Sequence, residues 1–553
     1  MQNWRRFCLL TRLFQERFFE NDTVAPGSGF QTNIYQVMGF LVATGWFISY
    51  FLLPPFLQLS VARSTDAVEW TVQSLRLFFT SYSFAVIGFV TVFEWDMLFP
   101  DRRDFLILGS FPIRTRELLA GKVAALGLFL LLLIAAMNVF PVLMMTALSI
   151  LVPGLRGSGA QLVLGQIAAT GGASLFAFLS VACLQGLLIG VVPPRLFQRI
   201  SPWIQMFGMS AMILCLLLYP LYSILLRPAA EANKTWPWLF PPVWFAGVYN
   251  LFLPSRNPLF AEFGLHAVTI LAGAAGLAVV TWLFSYRRHY SRTLESEEAQ
   301  IRIEPWTVPA GLLTSAEERA IAEFSVKTMA RSRKHRLFLA TYASAGLAFG
   351  VLFAVAVRSG KLVLSEDGFR AFPFLVTFFV ISGFRAVCQF PAELSANWLF
   401  RMTEARWAAV ARGAVRKQAL LGGLLPALAL LLPLELFVWD WRSVAVHAVF
   451  QLLAGALLVE AMFWRFDKVP FTCSYFAGAV NLSLLAGLYL YGFTAYSFHL
   501  AQWEARIEGD AGAALATFGV AILLLALSWM RRGEAAEVRF DGEEPAIRTL
   551  DLT

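Results

Sequence analysis

The chain has 553 residues, of which 58% are apolar and only 14% are charged, and its mean hydropathy is +0.64. Soluble domains are roughly 45–50% apolar and about a quarter charged, so this composition excludes a water-soluble globular protein and a disordered chain. The net charge of +8 does not indicate nucleic-acid binding, because the basic residues cluster between apolar runs and form no basic domain. We predict an all-α polytopic membrane protein.

The first segment, residues 1–33, is predicted to contain an amphipathic helix in the membrane interface. Its apolar side chains recur at three- and four-residue spacing, and most charged residues lie off that stripe: Trp4, Phe7, Leu10, Phe14 and Phe18 form it. Such a stripe gives a helix one apolar face, which can lie at the boundary between lipid headgroups and acyl chains.

Twelve apolar runs follow, and each is long enough for a membrane span of about 20 residues. In the first half, residues 34–285, they cover 34–59, 75–94, 123–152, 161–192, 201–226 and 259–285. In the second half, residues 337–530, they cover 337–357, 370–389, 419–439, 442–463, 474–498 and 512–530. A polar segment, residues 286–336, is predicted to be a cytoplasmic linker, and residues 531–553 a cytoplasmic tail.

The placement of basic residues predicts the orientation. An even number of spans puts both termini on one side, and the segments on that side carry about 33 of the 44 Lys and Arg residues. Because such an excess marks cytoplasmic loops, we expect both termini in the cytoplasm. The expected location is the bacterial inner membrane.

The segment WPWLFPPVWFAGVYNLFLP, residues 236–254, is predicted to lie on the outer side between spans five and six. Its prolines exclude a straight spanning helix. We expect a broken interfacial or re-entrant element, which is tolerated where protein or water satisfies its backbone. An aromatic belt on a loop is the alternative.

Motifs for catalysis are missing from the sequence. Neither Gly-Lys pair is part of a phosphate-binding G-x-x-x-x-G-K-[ST] loop, since Val123 and Leu362 occupy the Ser/Thr position. The five histidines have no zinc spacing, and no G-x-S-x-G sequence occurs. We expect no catalytic, cofactor-binding or metal-binding residue and no enzymatic activity in this chain.

Ionisable residues are sparse in the predicted spans. Glu435 and Glu460 are the clearest acidic residues there, and His447 lies between them in the sequence. Ion-coupled carriers use such groups. Because each Glu is predicted near the end of its span, we interpret both as interfacial or structural.

A long charged loop follows the second span of each half on the predicted inner side. The first, residues 94–122, contains PDRRDFLILGSFPIRTRELLAGK, and the second, residues 390–418, contains PAELSANWLFRMTEARWAAVARGAVRK. The two loops lie roughly 294 residues apart, a repeat of layout rather than of sequence; internal duplication is typical of transporters and also occurs in many other membrane folds. The first predicts a short amphipathic helix, a break at Pro112 and a new helix near Thr115. Its mixed charges and apolar residues favour docking of a partner protein over lying on the bilayer.

The first loop resembles the inner loop of ABC-2 type permeases, the transmembrane subunits of ATP-binding cassette exporters. In that family an acidic and basic start, a leucine-rich turn, a Pro-Ile/Val-[polar]-Arg step and a lysine or arginine entering the next span recur. The resemblance implies that the loop couples to the ATPase through Asp101, Arg102, Arg103, Pro112, Arg114, Arg116 and Lys122. Candidate counterparts in the second loop, which lacks the proline step, are Glu393, Arg401, Glu404, Arg406 and Lys417.

The resemblance implies a permease subunit that moves a lipid or amphipathic substrate by alternating access. A separate ABC-type ATPase subunit would hold ATP and Mg²⁺, and the chain, embedded in the lipid bilayer, could act alone or as a homodimer. An ion-coupled carrier of the major-facilitator type, with the same number of spans, is one alternative. A membrane-embedded transferase is another, with Asp66 and Glu69 as its acidic residues in an outer loop.

Overall fold

In the computed structural model the chain divides into two units. Unit 1 comprises residues 1–300 and 359–361, and unit 2 comprises residues 301–358 and 362–553. The structure describes residues 2–19, 38–50, 65–95, 98, 111, 113, 115–151, 158–232, 234–252, 258–295, 315–358, 361–392, 407–464, 466, 468–472, 482–507 and 510–530.

Unit 1 is helical throughout its described residues. Its helices are α1 (Gln2–Phe19), α2 (Met38–Tyr50), α3 (Thr65–Phe93), α4 (Thr115–Leu151), α5 (Gly159–Val191), α6 (Pro194–Leu217), α7 (Tyr219–Glu231), α8 (Pro241–Phe252) and α9 (Pro258–Glu295). A 3-10 turn, Trp236–Leu239, precedes α8. The predicted span 201–226 is divided at Leu218, because Pro220 lacks the N–H that would continue α6.

In the described part of unit 2 the secondary structure is helical apart from one short hairpin. Its elements are α10 (Ala316–Arg331), α11 (Arg333–Ala354), β1 (Val355–Arg358), β2 (Lys361–Leu364), α12 (Glu366–Gln389), α13 (Trp407–Gln418), a π-helical segment (Ala419–Leu424), α14 (Leu425–Val438), α15 (Trp441–Met462), α16 (Leu482–Ile507) and α17 (Ala511–Met530). The strands β1 and β2 pair with each other, and this hairpin was not predicted from the sequence.

Nine helices among the described residues are long and apolar enough to span a membrane. They cover Trp70–Phe93, Arg116–Ala147, Gly159–Val191, Arg199–Leu217, Pro258–Phe284, Lys334–Ala354, Glu366–Gln389, Val410–Val438 and Trp441–Met462. The chain is therefore a multi-span α-helical membrane protein. Three predicted spans, 34–59, 474–498 and 512–530, are not among the nine, so twelve spans in two halves remains a prediction.

Helix α8 is the centre of the packing in unit 1. Its residues from Pro242 to Tyr249 are buried, although the helix has only 12 residues. Two facing glycines allow its close approach to α9: a Cβ on Gly247 would lie 2.4 Å from the carbonyl oxygen of Phe260, and one on Gly264 would lie 2.7 Å from the carbonyl oxygen of Gly247. The segment 236–254 thus contains a short helix packed inside the unit.

Helix α12 occupies the centre of unit 2, where α11 and α16 pack against it. Phenylalanine rings fill the contact: the ring centroids of Phe379 and Phe493 are 5.1 Å apart, and those of Phe349 and Phe493 are 4.9 Å apart. Such distances are typical of favourable aromatic pairs. These helices form a dense support for the polar groups described below.

Candidate functional site

Most of the predicted coupling residues of the first loop lie outside the described residues. These are Asp101, Arg102, Arg103, Pro112 and Arg114. Arg116 and Lys122 are described, and both belong to α4, whose first residue is Thr115. Arg116 is exposed, whereas only 3% of Lys122 is exposed. Arg116 can therefore contact a partner protein, and Lys122 has an internal role.

Lys122 and its neighbour hold the N-terminal helix against α4. The Lys122 ammonium lies 4.8 Å from the centroid of the buried Phe14 ring of α1, a cation–π contact. A Cβ on the preceding Gly121 would lie 2.9 Å from the Cβ of Leu10, so the two helices touch closely. Trp4 remains 69% exposed on α1. Helix α1 thus packs on α4 and still presents an apolar surface.

In the second loop, Lys417 is the described candidate, and the others lie outside the described residues. Those others are Glu393, Arg401, Glu404 and Arg406. The Lys417 ammonium forms an ion pair with Glu318 of α10 at 2.9 Å. Gln418 also donates a hydrogen bond to the carbonyl oxygen of Ala322. Helix α10 is thereby attached to α13, the helix that follows the loop.

The two units therefore share one local arrangement. In each, a helix that precedes the first apolar run of its half packs on the helix that follows the charged loop: α1 on α4, and α10 on α13. Glu318 was missed from the sequence, although Ser315 and Glu318 have capping-box spacing and the Ser315 hydroxyl accepts from the Glu318 amide. That spacing could have placed a helix in the predicted linker.

A buried ion pair connects three helices of unit 2. Arg416 Nη1 of α13 lies 2.9 Å from Glu460 Oε2 of α15, and both side chains are less than a tenth exposed. The hydroxyl of Ser528 in α17 donates to the same carboxylate oxygen at 2.6 Å. The Glu460 carboxylate thus joins α13, α15 and α17.

A second buried cluster places a histidine between two carboxylates. His447 Nδ1 of α15 lies 2.7 Å from Glu504 Oε1 of α16, and its Nε2 lies 3.8 Å from Glu435 Oε1 of α14. The three side chains are at most 3% exposed. The rings of Phe374 and Trp439 pack on the imidazole with centroid distances of 5.3 and 5.2 Å. The cluster thus holds one imidazole between two carboxylates inside unit 2.

An apolar cavity lies at the end of α3 that leads into the first loop. Its lining includes Ile87, Leu126, Leu130 and Phe178, and Glu94 is its acidic member. Because the walls are almost entirely carbon, the cavity suits an apolar group.

No group of three or more His, Cys, Asp or Glu side chains in the described part of the chain is arranged to hold a metal ion. Comparison of the chain with protein families, curated proteins and solved structures finds no match. The nine candidate spans among the described residues define the class of the protein, a multi-span helical membrane protein. The resemblance to ABC-2 type permeases stays a prediction from the loop residues.

Proposed function

We propose that the chain is the permease subunit of an ABC-type exporter, with two six-span halves that move a lipid or amphipathic substrate by alternating access. A separate ATPase subunit binds the charged loops on the cytoplasmic side of a bacterial inner membrane and supplies ATP hydrolysis with Mg²⁺. The observation that carries the proposal is the shared arrangement of α1 on α4 and α10 on α13.

This arrangement suits transmission of force from a loop into the membrane. A push on the first loop acts on the start of α4, and the contact of Lys122 with Phe14 moves α1 in the same direction. In unit 2 the ion pair of Lys417 with Glu318 joins α13 to α10 in the same way. Helices are stiff and packed contacts have few alternative arrangements, so small displacements at such ends become rigid-body motions.

A buried polar contact supports the two-half organisation. The carbonyl oxygen of Ser83 in α3 accepts a hydrogen bond from Ser174 of α5 at 3.4 Å. Thr377 of α12, roughly 294 residues after Ser83, accepts one from Gln451 of α15 at 3.2 Å. The interval between Ser83 and Thr377 equals the one between the two charged loops, whereas their partners Ser174 and Gln451 are 277 residues apart.

Charge reversal in the first loop tests the proposal. The chain is purified together with the ABC-type ATPase encoded beside its gene, and the retained ATPase is measured for wild type, for the double variant R114E/R116E and for Lys234→Glu. Lys234 is exposed on the predicted outer side and serves as the control. We expect the double variant to lose the ATPase while its thermal unfolding is unchanged. Equal retention of the ATPase by all three proteins contradicts docking at this loop.

A second candidate function is ion-coupled transport of the major-facilitator type, favoured by the buried cluster of His447, Glu435 and Glu504. Purified chain in liposomes, without ATPase or ATP, is given a pH gradient and a fluorescent amphipathic dye. Accumulation of the dye that is lost in His447→Gln and kept in Glu231→Gln, whose side chain is exposed, supports the carrier. No accumulation in the wild-type chain favours the exporter.

A further inference from the structure

A polar cluster lies inside the helices of unit 1. Arg76 of α3 is only 4% exposed and belongs to the candidate span Trp70–Phe93. Its guanidinium lies over the ring of Tyr249 in α8, 4.4 Å from the centroid, and its Nη1 donates to Asn250 Oδ1 at 3.3 Å. Gln73 Nε2 donates to the same oxygen at 3.1 Å. Ionisable side chains within a membrane span are costly and therefore point to function.

A second buried amide, Gln166 of α5, lies at the same level. The preceding Gly165 packs on the Tyr249 ring, whose Cδ1 would be 3.0 Å from a Cβ at that position. Further along, α5 and α3 touch again where Ser174 donates to Ser83. Gln166 lies eight residues before Ser174, and Arg76 lies seven residues before Ser83. At a rise of 1.5 Å per residue, both therefore lie about 11–12 Å along their helices from this hydrogen bond. The side chain of Gln166 is completely buried.

Several polar atoms of this cluster have no hydrogen-bond partner within the described residues. They are Gln73 Oε1, both side-chain amide atoms of Gln166, the Tyr249 hydroxyl and Asn250 Nδ2. Buried polar groups are normally paired, so each such group in a native structure needs an explanation. The hydroxyl and the two NH₂ groups can donate hydrogen bonds beside a guanidinium. An oxygen-rich anion, which accepts hydrogen bonds and carries negative charge, suits these three donors.

We propose that Arg76, Gln166, Tyr249 and Asn250 bind the anionic head group, phosphate or carboxylate, of an amphipathic substrate. Asn250 is the partly exposed member, so the cluster opens beside it. The next residues, Leu251 and Phe252, are 40% and 36% exposed, and an alkyl chain can lie on them. The transport of such a substrate rests on the proposed exporter function. The binding of its head group does not depend on the ATPase.

The test measures binding to the full-length chain in dodecyl maltoside, without any ATPase. Dodecyl phosphate, inorganic phosphate and dodecyltrimethylammonium are each titrated into the protein by calorimetry. We expect saturable binding of dodecyl phosphate, weaker binding of inorganic phosphate and none of the cation. Equal affinity for both phosphates keeps the anion site but overturns the amphipathic substrate. Absence of saturable phosphate binding, or equal binding of the cation, overturns the site.

Two variants assign the binding to this cluster. Arg76→Gln removes the charge and should abolish saturable binding of dodecyl phosphate. Tyr249→Phe removes only a hydroxyl that has no partner among the described residues, so the fold is expected to persist while the affinity falls about tenfold. Tyr496→Phe in unit 2, whose buried hydroxyl also lacks a partner, is the matched control and should bind normally. Wild-type affinity in Tyr249→Phe overturns the assignment, whatever the ATPase experiment shows.

Discussion

Replacing Glu460 by alanine tests the most deeply buried ion pair of the predicted coupling region. In the native protein Glu460 faces Arg416 at 2.9 Å, and Ser528 donates to the same carboxylate. Alanine removes the carboxylate. The Arg416 side chain that remains is only 7% exposed. The perturbation therefore strands a positive charge among three packed helices.

The expected magnitude follows from that burial. Removing one partner of a buried ion pair typically costs about 3–5 kcal/mol, because the remaining buried charge has lost its counter-ion and is poorly hydrated. One kcal/mol lowers the unfolding temperature of a domain of 150–250 residues by about 2–4 °C. The midpoint for the transition of unit 2 should consequently fall by something on the order of 10 °C.

Thermal unfolding of the full-length chain in detergent measures this shift by intrinsic fluorescence. The double variant Arg416→Met with Glu460→Met replaces both charges by apolar groups of similar size and should recover most of the lost stability. Glu231→Ala is the control, because its ion pair with Arg227 is more than half exposed and contributes little. A Glu460→Ala protein that unfolds at the wild-type temperature, or a double variant as unstable as the single one, refutes the reasoning.

Two further predictions concern a helix contact and a helix cap. Gly247→Ala should lower the unfolding temperature, because the added Cβ would meet the Phe260 carbonyl oxygen at 2.4 Å. The control Gly273→Ala should leave the unfolding temperature unchanged, because a Cβ at Gly273 faces open space. Scanning fluorimetry measures both unfolding temperatures. Asp440 is the N-cap of α15, and the hydrogen bond from Ser443 lowers the pKa of its carboxyl group below the usual 3.8. The ionised cap therefore stabilises the folded state at higher pH. This contribution is lost as the pH falls through the lowered pKa. Asp440→Asn should therefore show less acid destabilisation; an unchanged acid-unfolding profile would contradict this.

The sequence allowed the helical spans to be predicted because the signal is local. A run of about 20 apolar residues is sufficient to cross a bilayer, and its backbone must be hydrogen-bonded internally, so length and composition determine the structure. Breaks were harder to predict. The division at Leu218 depends on a single residue, and the hairpin Val355–Leu364 depends on strand pairing. Neither feature changes the apolar composition from which the spans were predicted.

The polar clusters could be predicted only in part. The apolar neighbours of Glu435, Glu460 and His447 made these residues identifiable in the sequence. Glu504 was missed because it lies 57 residues from His447 and, near the end of an apolar run, resembles a loop residue. Arg76 was missed because it stands at the start of an apolar run, where arginines often reach toward water. Whether such a side chain is buried depends on which helix packs over it, and here α8 covers it.

The two units differ at positions that lie one predicted repeat apart. Arg370 of α12 lies roughly 294 residues after Arg76, and its guanidinium also lies near an aromatic ring, 5.7 Å from the centroid of Trp439. Three residues before Arg76 stands Gln73, and three residues before Arg370 stands Asp367. A carboxylate at this helical spacing offsets an arginine charge, whereas an amide does not. The two units therefore differ at this position, and the hydrogen bonds of Gln73 and Arg76 to the Asn250 amide oxygen are a feature of unit 1.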